Sequence, residues 1–595
     1  MTRSRNQRLR RARPVLVLAA VAFAAGALLG AGHPGSPDYA LAEQFVGAWT
    51  KGDYGRMYAE ISSSSQRKIS IGEFAAAYRE ALVTATASGE RIAGTERAGA
   101  HGAVAVPVRV HTRLFGTLSL KFTLRFSGGA GARAGPRVLW SRSLAFPGLR
   151  QGELLSRDTS LPRRAPLLAR DGSTLAEAMP GDAPAGAPAE ATPGSPLGAY
   201  AEAVLGQVGA PPASRRQALE EQGVPDDAVV GLSGLELAYD ARLRGTPGGA
   251  LLAGTRVLAD VAPHPAPPLR TTISPAVQRA AVGALGGQLG GIVAMQPSTG
   301  QILAVAGLGL DALQPPGSTF KMVTTTGVLS AGIANVGTVF PYATYATLDG
   351  VRLNNANGEE CGGTLELAFA VSCNSVFSPL GVKLGAARLV ATAERYGFNR
   401  NPGVPGAAES TLPPASEIQG ELDVGSTAIG QGEVLASPLQ MATVAATIAD
   451  GGRRPQPTFL RGPSRDAGAA STPAVADTMR RLMIAVVREG TGTAAAIPGV
   501  TVAGKTGTAE LKTLCSSAAA GEGGSGGAHE APREGCQGQG GESEAANTDA
   551  WFAAFAPALH PRIVLCVLLV KDGAGGATAA PVAREVIEAA LAAES

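Results

Sequence analysis

Three short clusters of reactive residues occur in a fixed order along the 595-residue chain: Ser318-Thr319-Phe320-Lys321, then Ser372-Cys373-Asn374, then Lys505-Thr506-Gly507-Thr508. Together they supply the parts of a serine acyl-transfer centre: a hydroxyl nucleophile, an amine to act as its base, a second hydroxyl, an amide and a second cation. Pro315-Pro316-Gly317 ends any preceding regular structure, and the apolar run Phe320, Met322, Val323 predicts a helix opening at Ser318. A residue three positions on returns to the same helix face, so Lys321 is expected within reach of the Ser318 hydroxyl. A base must be neutral, and a lysine ordinarily titrates at about 10.4. Burial and a second cation, for which Lys505 is the candidate, therefore have to lower the Lys321 pKa. Composition agrees: the chain holds eight lysines against forty-three arginines, yet two of the eight fall at these positions. Arginine cannot lose its proton in a protein and could not serve as the base. Ser65-Gln66-Arg67-Lys68 repeats the serine-x-x-lysine pattern in a polar stretch without companion motifs and is read as chance.

Ser372 and Asn374 are one residue apart, which points both side chains to one side of an extended segment or tight loop. Alone, the tripeptide would be an ordinary turn. Lys505 follows the β-branched run Val500-Thr501-Val502, so its motif belongs on a strand, where Gly507 lets a ligand backbone approach closely.

In this order the clusters resemble the signature of the penicillin-binding proteins and serine β-lactamases. The resemblance implies Ser318 as the acylated nucleophile, Lys321 as its base and Ser372 as proton relay to the leaving amine. It gives Asn374 a hydrogen bond to the substrate backbone amide, and Lys505, Thr506 and Thr508 the substrate's terminal carboxylate. The Gly507-containing strand would pair with the peptide, and the backbone N–H groups of Ser318 and Thr508 would form the oxyanion hole. Other segments extend the resemblance: the hairpin Gly291 to Gly307, Ala428-Ile429-Gly430-Gln431-Gly432, Ser437 to Met441, strands at Trp551 to Phe555 and Ile563 to Val570, and a closing helix Ala580 to Ala593. The implied catalytic fold is an antiparallel sheet flanked by helices.

Upstream, Leu161 to Leu175 and Gly234 to Gly245 resemble the non-penicillin-binding linker of class B, monofunctional penicillin-binding proteins. Tyr39 to Trp49 and Phe74 to Val83 carry helical spacing, and Val104 to Phe126 alternates as strands. Ala48 to Tyr54 with Met57-Tyr58 resembles the nuclear-transport-factor-like N-terminal domain of low-affinity-type members. Six arginines between Arg3 and Arg13 precede an uncharged stretch, Val15 to Gly32. Eighteen helical residues span about 27 Å, close to a bilayer core, and positive flanks stay inside. A cleaved signal peptide is the alternative.

The expected organisation is thus multidomain α+β. A cytoplasmic basic segment 1–14 and an anchor 15–32 precede an N-terminal domain 38–148. A dimerisation/linker domain 149–268 follows, with a Pro/Ala-rich insertion 179–212, and then a transpeptidase domain 269–595 with a low-complexity loop 511–548. The expected location is the plasma membrane, single-pass, with the catalytic domain outside. Export permits disulfides, and Cys361 with Cys373, and Cys515 with Cys536, are the expected pairs, with free thiols the alternative. Cys566, in an apolar run, is expected as a buried thiol. The six histidines show no metal spacing, and the chemistry requires no metal or cofactor. A net charge of +3 without a basic stripe beyond the N-terminus speaks against nucleic acid. The implied partners are peptidoglycan stem peptides, β-lactams, the membrane, and a membrane glycosyltransferase of the cell-wall machinery. The implied activity is D,D-transpeptidation, with a β-lactamase or D,D-carboxypeptidase, or a β-lactam sensor, as the competing readings. No Glu-x-x-Leu-Asn element of the class A β-lactamase kind lies between Asn374 and Lys505, which favours transfer over hydrolysis.

Overall fold

The computed structural model describes residues 36–127, 135–176, 202–462, 466–510 and 548–593. The expected segments 1–14 and 15–32, most of the 179–212 insertion, Cys515, Cys536 and nearly all of the 511–548 loop lie outside them. Among the described residues no single helix is long and apolar enough to cross a membrane.

The described residues fall into two compact units. The first begins with helices α1 (Pro37–Trp49) and α2 (Ile71–Thr84). Ser70 and Glu73 form a capping box that fixes the start of α2. An antiparallel sheet follows, with β2 (Val104–Thr112) paired between β1 (Ala87–Ile92) and β3 (Thr117–Leu124). Along β2, Val104, Val106, Val108 and Val110 turn inward, the two-residue period of a strand with one buried face. They meet Phe45, Trp49, Phe74, Tyr78 and Phe122 in one core, in which Trp49 and Phe122 stack edge to face at 4.9 Å.

Segment 149–268, expected as one linker domain, is divided between the units. Its strands β4 (Leu155–Ser160), β5 (Gly248–Ala253) and β6 (Arg256–Val261) form a sheet whose Leu251 is buried in the first core. Leu167–Leu168 instead pairs in parallel with Leu269–Arg270 inside the second unit. Each piece goes where its apolar face finds cover, which short strands cannot supply alone.

The second unit is built on an antiparallel five-stranded sheet in the order β8 (Ile302–Gly307), β7 (Gly290–Met295), β11 (Ile563–Leu569), β10 (Thr548–Ala556), β9 (Ala503–Glu510). All nine residues of β10 and all seven of β11 are buried, so these strands read as continuous apolar runs rather than alternations. Helices α3 (Pro275–Leu285) and α9 (Ala579–Ala593) share a core with Ile292, Ala294, Phe552 and Leu565. Val293 and Met295, on the opposite face of β7, are equally buried, and α7 (Pro438–Ala449) packs on β7, β10 and β11. Every residue of α7 is buried, Gln440, Thr443 and Thr447 included, so the helix has no solvent-facing side. Four further helices approach the site: α4 (Lys321–Ser330), α5 (Leu365–Ala370), α6 (Asn374–Leu384) and α8 (Pro473–Glu489). The hairpin, final strands and closing helix all form where expected. The β9 strand starts at Ala503, three residues past the start of the β-branched run that suggested it.

Candidate active site

Ser318 lies on a 3₁₀ turn, Gly317–Phe320, that runs directly into α4. The expected helix start is therefore a tighter turn, with the α-helix proper beginning at Lys321. The turn is clamped between two backbones. Gly317 adopts φ +50°, and a Cβ there would lie 2.9 Å from Thr508 O. A Cβ on Gly430, at φ +76°, would lie 2.0 Å from Gly317 O, while Gly317 N–H donates to Gly430 O at 3.0 Å. Only glycine satisfies both the left-handed backbone and the close approach. Thr319 Oγ1 donates to Pro316 O at 2.6 Å, and the Phe320 ring meets Phe398 edge to face. Ser318 is left half-buried while its neighbours are sealed.

Lys321 is wholly buried, and its Nζ donates to Ser372 O at 2.7 Å and to Asn374 Oδ1 at 2.6 Å. Ser372 Oγ lies 3.3 Å away. Among the described residues no hydrogen bond joins Lys321 Nζ to Ser318 Oγ, within whose reach the helix spacing was expected to put it. A backbone carbonyl and an amide oxygen are better acceptors than a hydroxyl, and they draw the amine to the second motif. Lys505, also fully buried, donates to the same Ser372 Oγ at 2.9 Å and to Thr506 O at 3.0 Å. The two amines thus meet at one hydroxyl.

Neither lysine has a carboxylate partner among the described residues. Burial drives Lys321 well below its ordinary pKa, and the neighbouring Lys505 charge lowers it further. Burial alone brings Lys505 to about 7. Phe377 and Phe369 present their ring faces 5.5 and 5.6 Å from the two amines, a weak substitute for lost hydration.

The second motif is a tight turn rather than a strand. Ser372 sits at φ +62°, a left-handed conformation that costs about 1–3 kcal/mol for a residue with a side chain. Ser372 N–H donates to Phe369 O and Cys373 N–H to Ala368 O, tying the turn to the end of α5. Cys373 is joined to Cys361 by a disulfide, S–S 2.10 Å, so the residue between Ser372 and Asn374 is covalently anchored to the strand Cys361–Thr364. Asn374 Nδ2 donates to Asn354 O at 2.9 Å. With Oδ1 on Lys321, both ends of this amide are engaged, which leaves one N–H and one lone pair for a ligand. Cys566 is a buried thiol, as its apolar surroundings suggested.

In the third motif Lys505 pairs with Ala553, Thr506 with Phe552 and Gly507 with Trp551, and β9 forms the edge of the sheet. A Cβ on Gly507 would lie 2.8 Å from Pro316 O, so this glycine admits the turn that carries Ser318. Thr506 Oγ1 lies 2.5 Å from Thr491 Oγ1, and Thr508 Oγ1 accepts from Gly575 N–H at 3.4 Å. Ser318, Lys321, Ser372, Asn374, Lys505 and Gly507 therefore converge, whereas Cys515 and Cys536 lie outside the described residues. Sequence reasoning named Gly430 only inside a larger segment, and nothing in the sequence singled out Thr491, Phe369 or Phe377. Their roles depend on long-range approach, which leaves no local pattern.

Two domain families match the chain: penicillin binding protein transpeptidase domain over residues 290–522, and penicillin-binding protein dimerisation domain over residues 194–254. Among curated relatives, peptidoglycan D,D-transpeptidase PbpA of Mycolicibacterium smegmatis is 34% identical over 429 residues, covering 60% of this chain and 79% of that one. PbpA of Mycobacterium tuberculosis is 34% identical over 388 residues, 54% and 72% of the two chains. Among solved structures, penicillin-binding protein A from M. tuberculosis as its penicillin G acyl-enzyme complex aligns with a TM-score of 0.54 at 27% identity, covering 72% of this chain and 99% of that one. The D,D-transpeptidase domain of a peptidoglycan glycosyltransferase from Eggerthella lenta aligns with a TM-score of 0.54 at 28% identity, covering 73% and 100%. The sheet, the paired lysines and these likenesses define a serine acyl-transferase of the penicillin-binding type. The chain belongs to the class B penicillin-binding proteins, which join a dimerisation domain to a transpeptidase domain.

Proposed function

We propose that the protein is a peptidoglycan D,D-transpeptidase that works through an acyl-enzyme on Ser318 and is blocked when a β-lactam acylates the same serine. The observation that carries the assignment of roles is the meeting of two buried, carboxylate-free lysines at the Ser372 hydroxyl beside the Ser318 turn.

With Lys321 neutral, its two N–H groups stay on Ser372 O and Asn374 Oδ1, and its lone pair is free for a hydroxyl proton. Ser318 Oγ attacks the carbonyl carbon of the penultimate D-alanine and its proton passes to Lys321. Free-enzyme hydrogen bonds of this kind commonly tighten only when substrate is bound, which accommodates the absent Ser318–Lys321 bond. Ser372 gives its proton to the leaving D-alanine nitrogen as the C–N bond breaks, and is resupplied from Lys321. Lys505 stays cationic, holds Ser372 Oγ and faces the substrate carboxylate. An acceptor amine then attacks the ester, and Ser318 recovers its proton. The free edge of β9 suits an extended peptide added as a further strand, with the backbone N–H groups of Ser318 and Thr508 on the carbonyl oxygen. Each such donor is worth about a hundred- to a thousandfold in rate.

The arrangement around this centre is also proposed. The 15–32 segment anchors the chain, with the catalytic unit outside the cell and a membrane glycosyltransferase alongside to supply glycan strands. The helices α1 and α2 before a β1–β3 sheet are in keeping with a nuclear-transport-factor-like domain. Incubating the full chain with a stem-peptide thioester and a D-amino acid acceptor tests the activity. Transfer product that disappears in Ser318→Ala is expected, whereas hydrolysis alone would favour a carboxypeptidase and no turnover a sensor.

A further inference from the structure

Thr491 follows the C-terminal end of α8 and lies outside all three motifs, yet it touches two of them. Its backbone N–H donates to Ala370 O at 3.0 Å, two residues before Ser372. Its Oγ1 lies 2.5 Å from Thr506 Oγ1 and 3.4 Å from the same Ala370 O. Thr491 is exposed, whereas Thr506 is 4% exposed.

Two hydroxyls carry two hydrogens, and the short Oγ1–Oγ1 bond uses one. If Thr506 donates that bond, the remaining Thr491 hydrogen has Ala370 O at 3.4 Å, a carbonyl that already accepts a 3.0 Å N–H; if Thr491 donates it, the remaining hydrogen is on Thr506 and has no acceptor among the described residues. Either way one O–H of the pair is weakly committed, on the strand residue next to Lys505 or on its exposed partner Thr491. A weakly committed donor beside a buried cation is suited to a carboxylate, because hydrogen bonds to ionised acceptors are the strong ones.

We propose that Thr491 is a specificity-determining residue for the substrate's terminal carboxylate. It acts with Thr506 as a two-hydroxyl donor, a role that rests on the transpeptidase reading above. Without the Thr491 hydroxyl, the nearly buried Thr506 loses the short partner that orients its hydroxyl, and the one O–H that remains is no longer held in place.

The test compares penicillin G with its methyl ester, which lacks the carboxylate, on the full chain and its Thr491→Val and Thr491→Ser variants. The second-order rate constant for acylation by penicillin G should fall in Thr491→Val by about ten- to a hundredfold, the worth of one hydrogen bond to a charged group. Thr491→Ser should restore most of it, and the slow reaction with the ester should be the same in all three proteins. Equal losses with both probes would reduce Thr491 to a brace of the fold, and an unchanged penicillin G rate would remove any role; either overturns the proposal. If Thr491→Val lacks a cooperative melting transition, Thr491→Ala provides the same comparison. Absence of Ser318-dependent acylation in the wild type would instead refute the transpeptidase reading itself.

Discussion

The chain contains the pattern serine-x-x-lysine twice, and the two copies behave differently. In the first unit Ser65 is buried, its Oγ lies 2.9 Å from Ser62 Oγ and accepts the Trp140 backbone N–H at 3.1 Å, and Lys68 is exposed to solvent. In the second unit Ser318 is half-exposed, and Lys321 is buried against Ser372, Asn374 and the charge of Lys505. One copy hides the hydroxyl and solvates the amine; the other does the reverse. A nucleophile needs access and its base needs desolvation, so the pattern becomes chemistry only where the fold supplies both. The cost is two buried lysines without counter-ions, an arrangement that stability alone would not favour.

The contrast is sharpened most by removing each amine. Lys321→Met should lower penicillin acylation by about a thousandfold or more, as loss of a base acting within a catalytic unit does, whereas Lys68→Met should leave the rate unchanged in the same stopped-flow assay. Next in size is Gly430→Ala, whose Cβ would press on Gly317 O and displace the nucleophile turn. About a hundredfold loss of acylation is expected, as for misplacement of a reacting group, with the circular dichroism spectrum retained. The pH dependence is milder. The rate should rise with pH as Lys321 loses its proton, and fall above about 7 as Lys505 loses the charge that attracts the carboxylate. Lys505→Arg, which cannot deprotonate, should abolish the alkaline limb in a pH series of acylation constants. An alkaline limb that survives this substitution would assign it to another group. The smallest effect is structural: replacing Cys361 and Cys373 together with serine should destabilise the catalytic unit by about 3 kcal/mol, read by denaturant melts, through the twelve-residue loop they close.

Much of the active site was legible because its chemistry requires residue types at short spacings. Ser318 and Lys321, Ser372 and Asn374, and Lys505 with Gly507 each show in a local run. The lowered Lys321 pKa was also legible, since a lysine base implies burial and a neighbouring cation. What the sequence concealed was partner choice. Lys321 was expected within reach of Ser318, and helix spacing could not show that its hydrogen bonds go to Ser372 O and Asn374 Oδ1, because acceptor strength is decided by the folded neighbourhood. Gly430 and Thr491 stayed hidden because each acts across more than a hundred residues of chain, on Gly317 O and on Ala370 O. Strands β10 and β11 were readable as continuous apolar runs. The division of segment 149–268 between two units was not, since its two- to six-residue strands carry too little pattern to reveal which core they join.

The most direct test of the contrast between the two patterns is peptide mapping by mass spectrometry after brief exposure of the full chain to penicillin G. A single covalent adduct on the peptide containing Ser318, with the Ser65 peptide unmodified, is the predicted result. An adduct on Ser65, or acylation that persists unchanged in Ser318→Ala, would contradict it.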